Sequence, residues 1–138
     1  RLKAVIKDLT RPNGVALSPD ESLLYVAQSD PEKAVVMAYS ILDDGGLGEG
    51  KQLFDATPMV KSGLVGLPDG LKTDVSGNIF CTGPGGVMVL SPKGKLLGRI
   101  DTGQATSNCA WGEDGTVLYI TADMYLLRIK TKTTGKGF

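Results

Sequence analysis

Short apolar runs separated by turn-forming residues recur along the whole chain. The runs are Val15-Ala16-Leu17, Leu23 to Ala27, Ile79 to Cys81, Val87 to Leu90, Val117 to Ala122 and Tyr125 to Ile129. Between them stand Ser18-Pro19-Asp20, Asp44-Gly45-Gly46, Ser76-Gly77-Asn78, Ser91-Pro92-Lys93-Gly94 and Glu113-Asp114-Gly115, all of which favour tight turns. Glu32 to Asp44 is long enough for a helix. However, Val35, Met37, Tyr39 and Ile41 alternate and β-branched residues are frequent, so the pattern predicts a strand there. Short strands at this spacing imply an all-β sandwich, barrel or propeller.

An internal repeat chooses among the three. Pro12-Asn13-Gly14-Val15-Ala16-Leu17, a turn, and Leu23-Leu24-Tyr25-Val26-Ala27 match Pro68-Asp69-Gly70-Leu71-Lys72-Thr73, a turn, and Asn78-Ile79-Phe80-Cys81-Thr82. They also match Ser107-Asn108-Cys109-Ala110-Trp111, a turn, and Val117-Leu118-Tyr119-Ile120-Thr121. The polar residue and the aromatic lie 12, 11 and 11 positions apart in the three copies. Each pair is followed by a third strand, and the first two copies by a fourth, Lys51 to Ala56 and Lys95 to Asp101. Four strands per unit at a period of about 40 to 55 residues is the pattern of propeller blades. The expected organisation is a partial β-propeller of about three four-stranded antiparallel blades. Residues 1–10 read as the outer strand of a preceding blade, 11–56 as a blade, 57–101 as a loop and blade, 102–132 as an incomplete blade and 133–138 as a frayed tail. The connection Asp55 to Asp69 is too long for a hairpin, and loops of that length usually carry function or move.

Composition narrows the chemistry. With 138 residues the chain is one small domain, and its 22% charged and 41% apolar residues allow a core. Fifteen basic residues balance fifteen acidic ones, which argues against a nucleic-acid partner. There is no histidine, so a Ser-His-Asp triad, a Cys-His pair and a His-based zinc site are excluded within this chain. Two cysteines, Cys81 and Cys109, make neither a disulfide framework nor a zinc cluster and read as small buried hydrophobes. No apolar run approaches the ~18 residues of a membrane span. Arg1 to Thr10 lacks the apolar centre of a signal peptide, so a soluble protein is expected.

Asn13, Asp69 and Asn108 stand at the same place in their repeats, the entry to the first strand of each unit. In a propeller that strand lines the central channel, so the three converge at one mouth. Two amide oxygens and one carboxylate form a hard-oxygen set suited to Ca²⁺. Asn-Gly and Asp-Gly are equally ordinary turn sequences that need no ligand. Lys61 and Lys72 flank Asp69, as anion contacts or as solvated surface lysines; Trp111 either stacks on a sugar ring or packs between blades. Gly83-Pro84-Gly85-Gly86 lies between two strands with no helix after it, so it is not a phosphate-binding loop.

The stretches Arg11 to Asp20, Gly66 to Asp74, Gly94 to Ile100 and Thr106 to Gly112 resemble the SMP-30/gluconolactonase-like lactonases, in order and over nearly the whole chain. The resemblance implies half of a six-bladed propeller, with a divalent cation, commonly Ca²⁺, in the channel. It implies hydrolysis of a sugar lactone or related ester. On this reading Asn13 and Asp69 are metal ligands, Asp69 is also the catalytic base, and Asn108 contacts substrate. The family's glutamate ligand and its further channel asparagine have no counterpart here. The expected partner is therefore a small-molecule lactone or ester. The remaining blades would come from a longer parent or from a second copy, with Leu2 to Leu9 of one chain beside Tyr125 to Ile129 of its mate in a homodimer. The alternative is an inactive half-propeller that serves as a binding or interaction module.

Overall fold

Strands form wherever the apolar alternation runs, and end at the turn sequences. The computed structural model describes all of residues 1–138. The first sheet pairs β1 (Pro12–Leu17), β2 (Leu23–Asp30), β3 (Lys33–Ser40) and β4 (Lys51–Asp55) in sequence order. The second pairs β5 (Leu71–Thr73), β6 (Ile79–Gly83), β7 (Gly86–Leu90) and β8 (Leu96–Asp101), and the third pairs β9 (Thr106–Gly112), β10 (Val117–Ala122) and β11 (Tyr125–Lys130). Every ladder is antiparallel. The all-β architecture of about three blades is thus as expected, and β5 lies between β1 and β9, which places the three innermost strands side by side.

The first turn of each blade is built the same way. Asp20 accepts hydrogen bonds from the Ser22 amide (3.1 Å) and the Ser18 hydroxyl (2.6 Å), and Asp114 from the Thr116 amide (3.1 Å). In the middle blade Asp74 accepts from the amides of Ser76 (3.0 Å) and Asn78 (2.8 Å). An aspartate that bonds the backbone two residues on closes a turn by itself. The Ser18 hydroxyl is the main reason that the Asp20 carboxyl is held down to about 2.

Alternation along the middle sheet builds two cores. Ile79, Cys81, Met88 and Leu90 pack with Tyr25, Ala27, Ala34 and Val36 of the first sheet. Phe80 and Val87 face the other way, onto Cys109, Leu118 and Ile120 of the third. The larger of these buried side chains, such as Ile79, Leu90 and Leu118, contribute about 1.5–3 kcal/mol each. Trp111 belongs to the second interface: its ring meets Phe80 edge-on with centroids 4.9 Å apart, and its indole N–H donates to the Thr73 carbonyl (3.0 Å). Of the two roles open to Trp111, packing between blades is the one these contacts show. Both thiols are free and buried, and burial pushes that of Cys109 up to about 11.

Residues 1–10 pair with none of the three sheets, and the preceding blade whose outer strand they were expected to form lies outside these 138 residues. Two expectations need correction. The long connection is not all loop, since Thr57–Lys61 forms a one-turn helix, α1. Asp55 accepts from the Thr57 amide (2.8 Å) and Pro58 sits in the first turn, where its missing N–H is harmless. The end of the chain is not frayed. Lys136 N–H donates to Thr73 O (2.9 Å), Val75 N–H to Thr134 O (2.9 Å) and the Thr133 hydroxyl to Asp74 (2.9 Å). A polar, glycine-containing tail reads as solvated, but its hydrogen-bonding groups strap the third sheet to the second.

Candidate functional site

Asn13 and Asp69 face one cleft of about 640 Å³. The first residues of β1 carry Asn13, and the turn before β5 carries Asp69. Hydrogen bonds from both neighbouring strands fix that turn. Asp69 N–H donates to Thr82 O (3.0 Å) and Gly70 N–H donates to Ser107 O (2.9 Å). The turn fits only because two residues lack a side chain. A Cβ on Gly14 would strike the Asp69 carbonyl oxygen, and one on Gly70 would strike the side chain of Asn108. Gly14→Ala is therefore expected to destabilise the fold by about 1–3 kcal/mol and to displace Asp69. Chemical denaturation checks the first effect, and the amide chemical shifts of residues 68–70 the second.

Ser29, at the end of β2, joins the two site residues. Its hydroxyl donates to Pro68 O at 2.5 Å. With its proton committed, the Ser29 oxygen has only lone pairs to offer Asn13, and it accepts from Asn13 Nδ2 at 3.1 Å. This orients the amide, with its NH₂ tied down and its Oδ1 left to the cleft. The Asp69 carboxylate is half-buried, and no hydrogen bond stabilises its charge. Burial raises it above the usual carboxylate range. The proton is then held more tightly in the folded chain than in the unfolded one, so Asp69 lowers stability as pH rises through that window. A desolvated carboxylate without donors, beside a free amide oxygen, favours a cation.

The long connection supplies the apolar wall of the cleft, through Val60 of α1 and through Leu64 and Leu67. The far side carries Ser107 and Asp123. Sequence reasoning passed over Ser29, Ser107 and Asp123. The polar end of β2 after an apolar run was a signal for Ser29, but nothing in the sequence points to Asp123, an exposed hairpin residue at φ 52°. Asn108 does not join Asn13 and Asp69. The pairing of β9 with β10 slips by one residue, from Asn108 opposite Thr121 to Thr106 opposite Ala122. Ser107 lines the cleft, whereas the Asn108 side chain lies against Gly70, accepts from the Cys109 amide (2.9 Å) and borders a separate groove with Tyr119 and Leu126. Lys61 and Lys72 line no part of this cleft.

The sequence profile of the SMP-30/gluconolactonase/LRE-like region matches residues 1–123. The chain belongs to this family. It is 43% identical over 139 aligned residues to a gluconolactonase of Zymomonas mobilis subsp. mobilis, covering 98% of this chain and 39% of that protein. The fold superposes on a gluconolactonase of Xanthomonas campestris with a TM-score of 0.77 and 32% identity, over 94% of this chain and 40% of that one. It also superposes on a calcium-binding protein, regucalcin, of Agrobacterium tumefaciens, with a TM-score of 0.77 and 21% identity, over 100% of this chain and 51% of that one. This member of the family thus spans about two fifths of the length of the curated relative it matches.

Proposed function

We propose that this chain supplies one wall of a divalent-cation-dependent lactone hydrolase site, with Asn13 and Asp69 as its chemical groups. The observation that carries the reading is the Asp69 carboxylate, desolvated and without a hydrogen-bond donor, in the same cleft as the free Asn13 oxygen. The donor set is all hard oxygen, as Ca²⁺ prefers. No group of three or more Asp, Glu, Cys or His side chains gathers in this chain, so further ligands are water or come from other blades. The names of the relatives support a lactone as substrate, and the regucalcin likeness in fold agrees with calcium.

Asn13 Oδ1 and one Asp69 oxygen would hold the cation. The chemistry supplied by a bound divalent cation is Lewis-acid polarisation of the lactone carbonyl. The other Asp69 oxygen orients a water and takes its proton as the water oxygen bonds to the carbonyl carbon. The ring C–O bond then breaks, and its oxygen leaves as a hydroxyl carrying the proton that Asp69 returns. Val60, Leu64 and Leu67 form the apolar wall of this cleft. The product is a hydroxy acid.

Addition of glucono-δ-lactone under a pH-stat is expected to show acceleration above the spontaneous rate that needs Ca²⁺ and vanishes with a chelator. Asn13→Ala is expected to raise the Ca²⁺ required by about tenfold, the effect of roughly 1.4 kcal/mol. Calcium binding without acceleration would instead make the chain a binding module. A propeller ring needs at least about four blades, so on this reading the three blades here are completed by others. Light scattering at twice the 14.5 kDa chain mass would assign that role to a second copy; a monomeric mass would remove the homodimer from the account.

A further inference from the structure

A second cleft, of about 480 Å³, opens at the other end of β1 and shares no residue with the first. Its walls are mainly apolar, from Val15, Leu17 and Leu24 on one side and Trp111 on the other. Val15 is 60% exposed, an apolar side chain left facing the opening. Trp111 cannot turn away, because its indole N–H is bonded to Thr73 O, its ring packs T-shaped with Phe80 and Gly135 lies against one of its faces, which leaves the remaining ring surface to the cleft. It therefore presents a fixed hydrocarbon surface.

Two lysines reach this cleft, and they differ. Lys136 is neutralised by Glu21 at 2.7 Å. Lys72 is half-buried, and its ammonium group donates only to a main-chain carbonyl, Leu71 O, at 3.1 Å. It takes part in none of the three ion pairs of the chain. A lysine at an apolar surface ordinarily extends its head into water; Lys72 is instead held at the rim of an apolar cavity without a counter-charge. A volume of this order suits a small molecule, and the lining calls for one with an apolar body and a single negative charge.

We propose that this cleft binds small organic carboxylates with a flat apolar ring, the ring against Trp111 and Val15 and the carboxylate on Lys72. The site is independent of Asp69 and of lactone hydrolysis, so its test stands whatever the outcome there. Trp111 is the sole tryptophan of the chain and lies in the wall, so its emission reports occupancy directly. Benzoate and benzyl alcohol, titrated with excitation at the red edge of the indole band, share a shape and differ in charge. Benzoate is expected to change the Trp111 emission saturably and to bind at least tenfold more tightly than benzyl alcohol. Lys72→Met is expected to abolish that preference, and Lys72→Arg to keep it. Equal binding of the two probes to the unmodified chain, no saturable change with benzoate, or an unaltered preference in a folded Lys72→Met chain would each overturn the proposal. The first two outcomes need no variant, so a misfolded substitution does not shield it.

Discussion

Asp69→Asn is expected to lower lactone hydrolysis by about 10²- to 10⁴-fold, the range for loss of a positioned general base. The substitution keeps the shape of the side chain and every backbone hydrogen bond of the turn, since Asp69 is held through its own N–H and not its carboxylate. It removes a charge that burial disfavours. In the absence of cation the variant should therefore unfold at the same temperature as the parent or slightly higher, while losing activity. That pairing separates a functional carboxylate from a structural one. Calorimetry and a pH-stat assay on the same preparation read both. Activity within a few-fold of the parent would remove Asp69 from the mechanism.

The largest effect on stability is expected at Asp74, five residues further on. Its carboxylate is fully buried and accepts four hydrogen bonds, from the amides of Ser76 and Asn78, from Asn78 Nδ2 and from the Thr133 hydroxyl. Hydrogen bonds to a charged group contribute about 1.5–3 kcal/mol each, and some of the stranded donors would find water. Asp74→Ala should therefore cost roughly 3 kcal/mol or more, lowering the unfolding midpoint by about 10 °C in a domain of this size. Thr133→Val removes one of the four and should cost about 1.5–3 kcal/mol. A midpoint unchanged in Asp74→Ala would show that the turn and the C-terminal strap do not depend on it.

These two aspartates mark what the sequence could and could not say. The blades were legible because each rests on local signals: alternation in the strands, an aspartate two residues before the amide it caps, and a repeat that fixes phase. Asn13 and Asp69 followed from that phase, since residues at equivalent positions of neighbouring first strands come together. Asn108 reaches the same turn, against Gly70, without lining the cleft, and the one-residue bulge in β9 beside it leaves no mark in the pattern of apolar residues. Ser29 was missed because its role is a bond to a carbonyl 39 residues away. The tail was misread for a similar reason. Lys136 and Thr133 are polar and look solvated, and only the fold brings Thr73 and Asp74 beneath them. At the other end, Leu2 to Leu9 has the composition of a strand but no partner for its backbone.

If Asn13 and Asp69 hold a cation together, a crystal of the chain grown in Ca²⁺ will show it in the Ser29–Asp69 cleft, with Asn13 Oδ1 and an Asp69 oxygen at about 2.3–2.6 Å and the other positions filled by water or by neighbouring blades. Calcium found only elsewhere on the molecule, or a cleft holding water alone at saturating Ca²⁺, would contradict that assignment.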